Sequence, residues 1–311
     1  MTNDVAIEVA HLSKRFADKT AVNDISFKVH AGEVFGILGP NGAGKTTTLR
    51  MITTLLKPTT GSVKIFGRDV AREGRRARSL FGLTGQYASV DEDISARENL
   101  MIFSRLNGLS REAAKQRSSE LLAEFALSDV ANKAIKEFSG GMRRRLDLAV
   151  SLITRPALIF LDEPTTGLDP RTRTQMWATI RHLVDAGSTI VLTTQYLDEA
   201  DELADRVAVI DHGQVVKIGA PAELKQEVGG ATLQLTLTDA TQITFAKELM
   251  AKLLHTDIQL STNHLAAKLA NIQLVSGVLD QFNAQQIGLS NISVQEPTLD
   301  DVFFALTSAK N

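Results

Sequence analysis

The chain has 311 residues, 34 Lys and Arg against 36 Asp and Glu, a net charge of −2, six His and no Cys. Its 43% hydrophobic content can build a core, which excludes disorder as the overall state, and its length suits two domains. The charge balance argues against nucleic acid as the main partner, and the lack of Cys excludes a disulfide framework, a thiolate metal site and a Cys nucleophile. The start, Met1-Thr2-Asn3-Asp4-Val5, has neither the basic flank nor the apolar run of a signal peptide. No stretch approaches the roughly 18 apolar residues that span a bilayer. These features predict a soluble protein of a reducing compartment.

Apolar β-rich runs alternate with helical patterns through the first two thirds. The strand runs are Glu33 to Leu38, Ser62 to Phe66, Leu80 to Thr84, Ala157 to Leu161, Thr189 to Thr193 and Arg206 to Ile210. Several are nearly continuous apolar runs, as expected of strands buried on both faces of a parallel sheet, so the class is α/β. Residues from about 87 to 138 break the alternation and read as a helical insertion, with Ser95-Ala96-Arg97-Glu98 as a capping box that starts its first helix. Gly229-Gly230 reads as the linker between a domain of residues 1–228 and a small α+β domain of 229–311. Thr232 to Thr238 alternates like a half-exposed strand. Near the end, Thr298 and Asp301 can cap a helix whose Leu299, Val302, Phe303 and Leu306 share one face. The Arg72, Arg75, Arg76 and Arg78 stretch, interleaved with Ala and Glu73, reads as a solvated helix face.

Two motifs carry chemistry. Gly39-Pro40-Asn41-Gly42-Ala43-Gly44-Lys45-Thr46 fits G-x-x-x-x-G-K-[ST], after an apolar strand and before a helical run to about Ile52. Small residues let backbone N–H groups approach phosphate oxygens, and the helix N-terminus adds partial positive charge. Lys45 would reach the β- and γ-phosphates of a nucleoside triphosphate, and the Thr46 hydroxyl would bind Mg²⁺. The second motif, Leu158-Ile159-Phe160-Leu161-Asp162-Glu163, delivers two carboxylates at the C-terminal end of a buried strand, where open α/β sheets bind ligands. Asp162 suits a water-mediated Mg²⁺ contact, and Glu163 is placed to act as general base on an attacking water.

Between these motifs lies Phe138-Ser139-Gly140-Gly141-Met142-Arg143-Arg144-Arg145-Leu146-Asp147-Leu148-Ala149, and after the second comes Pro164-Thr165-Thr166-Gly167-Leu168-Asp169-Pro170. In this order the set resembles the ABC-type ATPases, with Ser139-Gly140-Gly141 at the signature motif. The resemblance covers residues 1 to about 228. It implies a P-loop α/β core with a helical insertion, and ATP with Mg²⁺ as ligands. It also implies nucleotide contacts from Phe16 (stacking on adenine, with a buried core Phe as the other reading), from the loop Gly39 to Thr47, and from Ser139, Gly140, Gly141 and Asp169. By the same resemblance Gln86 senses Mg²⁺ and water, and Asp169 communicates between two subunits.

The sequence departs from the family at two places. Met142 stands where the signature usually has Gln, and Gln195, in Thr193-Thr194-Gln195-Tyr196, stands where most members have a His on the γ-phosphate. Gln can donate a hydrogen bond but carries no proton, which leaves Glu163 as the base, with Lys45, Gln86 and Gln195 completing the catalytic set. Both departures, and Gln295-Glu296-Pro297-Thr298-Leu299-Asp300-Asp301-Val302-Phe303-Phe304-Ala305-Leu306-Thr307, are similar to the daunorubicin-resistance type of ATP-binding subunits. That group implies an ATP-driven homodimer, peripheral on the inner face of the cell membrane, that energises a separately encoded ABC-2 type permease for drug or antibiotic export. The alternatives are a non-transport ABC ATPase acting in assembly or on nucleic acid, and a nucleotide-gated regulator with negligible turnover.

Overall fold

The computed structural model describes residues 5–17, 19–84 and 90–308. Its backbone divides into two compact units, Met1–Pro221 and Ala222–Asn311. The boundary falls at the start of a helix, seven residues before the end of that helix at Val228, where the sequence pattern had put the domain limit.

The first unit opens with two long strands that the sequence reading did not anticipate, β1 (Val5–Phe16) and β2 (Lys19–His30), paired antiparallel. Ile7, Val9 and Leu12 of β1 are buried with Ile25, Phe27 and Val29 of β2. There follow β3 (Val34–Leu38), α1 (Lys45–Ile52), β4 (Thr60–Ile65), β5 (Arg68–Asp69), α2 (Gly74–Arg78) and β6 (Phe81–Thr84). The order β2-β1-β4-β5 makes an antiparallel sheet, so the Ser62 to Phe66 run belongs there and not to a parallel sheet. Its alternating burial, with Val63 and Ile65 inward and Ser62 and Lys64 outward, suits a strand with one wet face. The arginines of α2 are exposed; Arg68 and Arg76 pair with Glu73, and Arg78 donates to Thr54 Oγ1.

Helices alone fill the next stretch: α3 (Ala96–Leu106), α4 (Arg111–Glu124) and two short 3₁₀ turns, Ser128–Val130 and Ile135–Glu137. The capping box at the start of α3 forms as expected: Glu98 N donates to Ser95 Oγ at 3.2 Å and Ser95 N to Glu98 Oε2 at 2.8 Å. The unit then continues through α5 (Gly140–Ser151), β7 (Leu158–Asp162), α6 (Pro170–Asp185), β8 (Thr189–Thr194), α7 (Leu197–Leu203), β9 (Arg206–Asp211) and β10 (Gln214–Gly219). The second sheet has the order β10-β9-β3-β8-β7-β6, parallel throughout except for the β9–β10 hairpin. β3, β7 and β8 are buried at every position, which explains their unbroken apolar runs. Side chains of the two sheets share one core, in which Phe27 and Phe35 stack at 5.2 Å. Register places Leu38 opposite Thr194 and Asp162 opposite Thr193, so β3, β7 and β8 end together at one edge.

The second unit contains α8 (Pro221–Val228), β11 (Thr232–Leu237), α9 (Ile243–Leu254), β12 (Gln259–Ser261), β13 (His264–Lys268), α10 (Leu274–Ala284), β14 (Leu289–Gln295) and α11 (Leu299–Ser308). Its sheet, β12-β13-β11-β14, is antiparallel, and Leu233, Leu235 and Leu237 pack one face of it on Met250 of α9 and Phe282 of α10. The alternation that predicted β11 is thus a buried leucine row with polar residues between. α11 begins with the expected reciprocal cap, Thr298 N to Asp301 Oδ2 at 2.8 Å and Asp301 N to Thr298 Oγ1 at 3.3 Å. Among the described residues no helix is long and apolar enough to cross a membrane.

Candidate active site

The common edge of β3, β7 and β8 gathers the first group of functional side chains. The loop from Gly39 leaves β3 and enters α1, whose N-cap, Gly44, has φ 107°, a conformation that disfavours any side chain. A Cβ at Gly44 would also lie 2.6 Å from Ala21 O, and one at Gly39 would lie 2.2 Å from Ile210 O, so the loop presses on β2 and β9. Pro40, Asn41 and Gly42 are exposed, Ala43 is buried, and Thr46 and Thr47 are half-buried. Lys45 is only 4% exposed; its ammonium donates to Gly39 O at 2.8 Å and Pro40 O at 3.1 Å, 3.7 Å from Glu163 Oε1. Burial pulls the Lys45 pKa below its usual value, against the opposing pull of Glu163 and then Asp162.

A cavity of about 380 Å³ opens over this loop, lined by Asn41, Gly42, Gly44, Lys45, Thr46 and Thr47, with Phe16, Lys19, Ala21 and Glu163 completing its wall. Phe16 is 46% exposed, which excludes the buried-core reading of this residue, and Lys14 Nζ lies 5.1 Å from its ring centroid. The cavity offers an aromatic face at one side and a cationic anion cradle at the other, the surfaces a nucleotide base and its phosphates require.

The acidic pair ends β7. Asp162 Oδ1 accepts hydrogen bonds from Thr193 Oγ1 at 2.6 Å and Thr46 Oγ1 at 3.1 Å. Glu163 has φ 49°, a left-handed conformation costly for a side chain this long. Its N–H donates to Thr193 O and Oγ1, both at 3.1 Å, and its Oε2 accepts from Thr166 Oγ1 at 3.2 Å. Arg144 of α5 holds the same turn from the other side, donating to the carbonyls of Asp162, Glu163 and Pro164. Thr193 and Arg144 were not singled out by sequence reasoning.

The second group lies apart from that cavity wall. Ser139 is exposed and caps α5, its Oγ accepting from Met142 N at 3.3 Å. Gly140 is exposed, and nothing lies within 4 Å of a Cβ placed on it. Gly141 is buried, and a Cβ there would sit 2.2 Å from Thr172 Cγ2, so it is the point where α5 packs on α6. Asp169 is exposed and caps α6 through Thr172 N at 3.0 Å; the Thr172 hydroxyl and N–H hold its carboxyl below the usual range. Gln195 follows β8 directly and is half-buried. Gln86 lies outside the described residues.

A family model described as "ABC transporter" matches residues 22–166. The daunorubicin/doxorubicin resistance ATP-binding protein DrrA of Streptomyces peucetius is 46% identical over 97% of this chain and 92% of its own. The Nod factor export ATP-binding protein I of Burkholderia lata is 43% identical over 81% of this chain and 83% of its own. Among solved structures, a dimeric ATP-binding cassette in a post-hydrolysis state, bound to ADP and Pi, matches with TM-score 0.63 and 25% identity, covering 69% of this chain and 98% of that one. The chain belongs to the ATP-binding, ATP-hydrolysing subunits of ABC transporters and, within them, to the family of the daunorubicin/doxorubicin resistance ATP-binding proteins.

Proposed function

We propose that this ATPase works as a homodimer closing over two ATP molecules, and that it energises export through a separate ABC-2 type permease at the inner face of the membrane. The observation that carries the dimer is the separation of the site into two groups. The cavity that would take the nucleotide is lined by the phosphate loop, Phe16 and Glu163, whereas exposed Ser139 and Gly140 are absent from its wall. A second copy would bring its Ser139 to Gly141 loop over the γ-phosphate and its Asp169 to the interface. The dimeric ADP- and Pi-bound cassette among the similar structures supports that arrangement. Relatives named for resistance to daunorubicin, doxorubicin and linearmycin support a drug or antibiotic as the exported molecule.

In this reading the phosphates lie on the N–H groups at the start of α1. Lys45, with two of its donors on carbonyls, turns the third from Glu163 to the β- and γ-phosphates. Phe16 stacks on the base. The adjacent Thr46 hydroxyl and Asp162 carboxylate form an oxygen-only donor set that fits one Mg²⁺ with a largely aqueous shell. Bound there, Mg²⁺ would neutralise phosphate charge. Glu163 accepts a proton from the attacking water as its oxygen bonds to the γ-phosphorus and ADP departs. Gln195 donates an amide hydrogen bond to the γ-phosphate and moves no proton, and Gln86 would help to hold Mg²⁺ and the attacking water. Loss of the bridging phosphate then reopens the dimer.

Two experiments test this. Glu163→Gln should elute as a dimer with saturating MgATP, and monomeric elution would overturn the composite site. A pull-down from detergent-solubilised membranes of the source cells should enrich a polytopic membrane protein; recovery of soluble or ribosomal partners alone would overturn the exporter assignment.

A further inference from the structure

We infer that Arg144 is a positioning residue that locks the turn carrying Glu163 to the signature helix α5, so that the half-site this chain lends to a second copy and the half-site it keeps move together. The inference rests on the dimer proposed above.

Three consecutive arginines follow the signature loop, and they face different ways. Arg143 pairs with Glu92, and Arg145 donates to Phe125 O at 3.1 Å and Ala126 O at 3.4 Å. Arg144 alone reaches the acidic strand: Nε donates to Pro164 O at 3.0 Å, and Nη2 to Asp162 O at 2.9 Å and Glu163 O at 3.3 Å. Three successive carbonyls on one guanidinium is a match for its planar fork, which the single ammonium of a lysine does not reproduce.

The turn needs such a partner. At Glu163 the chain leaves the β7–β8 ladder with φ 49°; within the turn Thr166 N donates to Glu163 O at 3.3 Å, and Arg144 adds donors to this carbonyl and its two neighbours. β8 secures the N–H side through Thr193, and α5 secures the C=O side through Arg144. Burial favours the neutral form of Arg144, and the charges of Asp147, Asp162, Glu199 and Glu163 oppose it, which keeps the cation embedded among carboxylates. Because Ser139 and Arg144 share one helix, a displacement of the signature loop on a neighbouring ATP reaches the carboxylate that acts on this chain's own ATP.

The test is Arg144→Gln in the full chain. The expected result is a fall in kcat of about 10- to 100-fold, the cost of displacing a general base by a fraction of an ångström to an ångström. The dissociation constant for ATP, titrated without Mg²⁺, should stay within about twofold, because the phosphate loop is untouched. Combined with Ser139→Ala, the two effects on kcat should be non-additive, as expected of residues acting through one element. An unchanged kcat, a proportional loss of ATP affinity, or effects that multiply independently would each overturn the inference. If Arg144→Gln fails to fold, Arg144→Lys is read in the same way. Failure of Glu163→Gln to dimerise would instead remove the composite site itself, whatever Arg144 does.

Discussion

The phosphate loop and the signature loop are both glycine-rich turns at helix N-termini, yet they are finished to different degrees. Lys45 is 4% exposed and already held by two carbonyls, and Gly39 and Gly44 of the loop are pinned against β9 and β2. Ser139 and Gly140 face solvent, and the serine hydroxyl accepts from the first turn of its own helix. One loop is preorganised within the chain; the other is rigid at its base, where Gly141 meets Thr172, and open at its tip. Preorganisation lowers the reorganisation a bound anion must pay, so in the dimer proposed above the first loop would account for affinity and the second for closure.

The largest effect expected at the preorganised end is that of Glu163→Gln. It keeps shape and removes the proposed base, so phosphate release should fall about 10²- to 10⁴-fold while ATP still binds. Lys45→Ala comes next. It removes a charge-assisted donor to phosphate worth about 1.5–3 kcal/mol, so a calorimetric ATP titration should show affinity weakened roughly 10- to 100-fold. An unaltered titration would break the assignment of the loop. At the open end, Ser139→Ala should lower turnover about tenfold with little change in single-chain affinity. If it weakened monomer binding as much as Lys45→Ala does, the contrast between the loops would disappear.

How much of this was legible in the sequence follows the same contrast. The phosphate loop and the acidic strand were readable because their chemistry is local: glycines, a Lys-Thr pair and an apolar run that ends in two carboxylates. The residues that complete the site come from other elements. Thr193 bonds Asp162 only because β8 pairs with β7 in a particular register, and no spacing along the chain states that register. Glu199 sits in the acidic-looking helix α7 but is buried, accepting from Thr165 Oγ1 at 2.8 Å and Trp177 Nε1 at 3.2 Å, and burial raises its pKa. β1 and β2 escaped for different reasons. In β2 buried Ile25, Phe27 and Val29 alternate with exposed Ser26 and Lys28, a signal that was there to be read; in β1 the register shifts between Val9 and Leu12, and again to Lys14 and to Arg15, which breaks the period-two pattern. Those irregularities end at Phe16, which explains how an aromatic on a core strand comes to face the cavity.

The two loops also differ in how their helices respond to pH. Lys45 is flanked by Glu163 and Asp162, whose charges oppose the effect of its burial. In α5, Asp147 is pushed up from 3.8 to about 6, mainly by burial, with Arg144 and then Arg143 pulling the other way. A carboxyl whose pKa is higher folded than unfolded binds extra protons in the native state between the two values. It therefore contributes its full stabilisation below about pH 4 and loses it as the pH rises through about 6. Asp147→Asn removes this titration without removing the side chain's volume. The stability of the Asn variant relative to wild type should accordingly rise between pH 4 and pH 7, by on the order of 1 kcal/mol, since the half-buried carboxyl keeps part of its hydration. Paired denaturant melts across that range measure it, and any constant offset from Arg144 losing a charged neighbour cancels in the difference. Parallel pH curves for the two proteins would mean that Asp147 titrates alike in the folded and unfolded chains, and that its burial in the signature helix does not shift it.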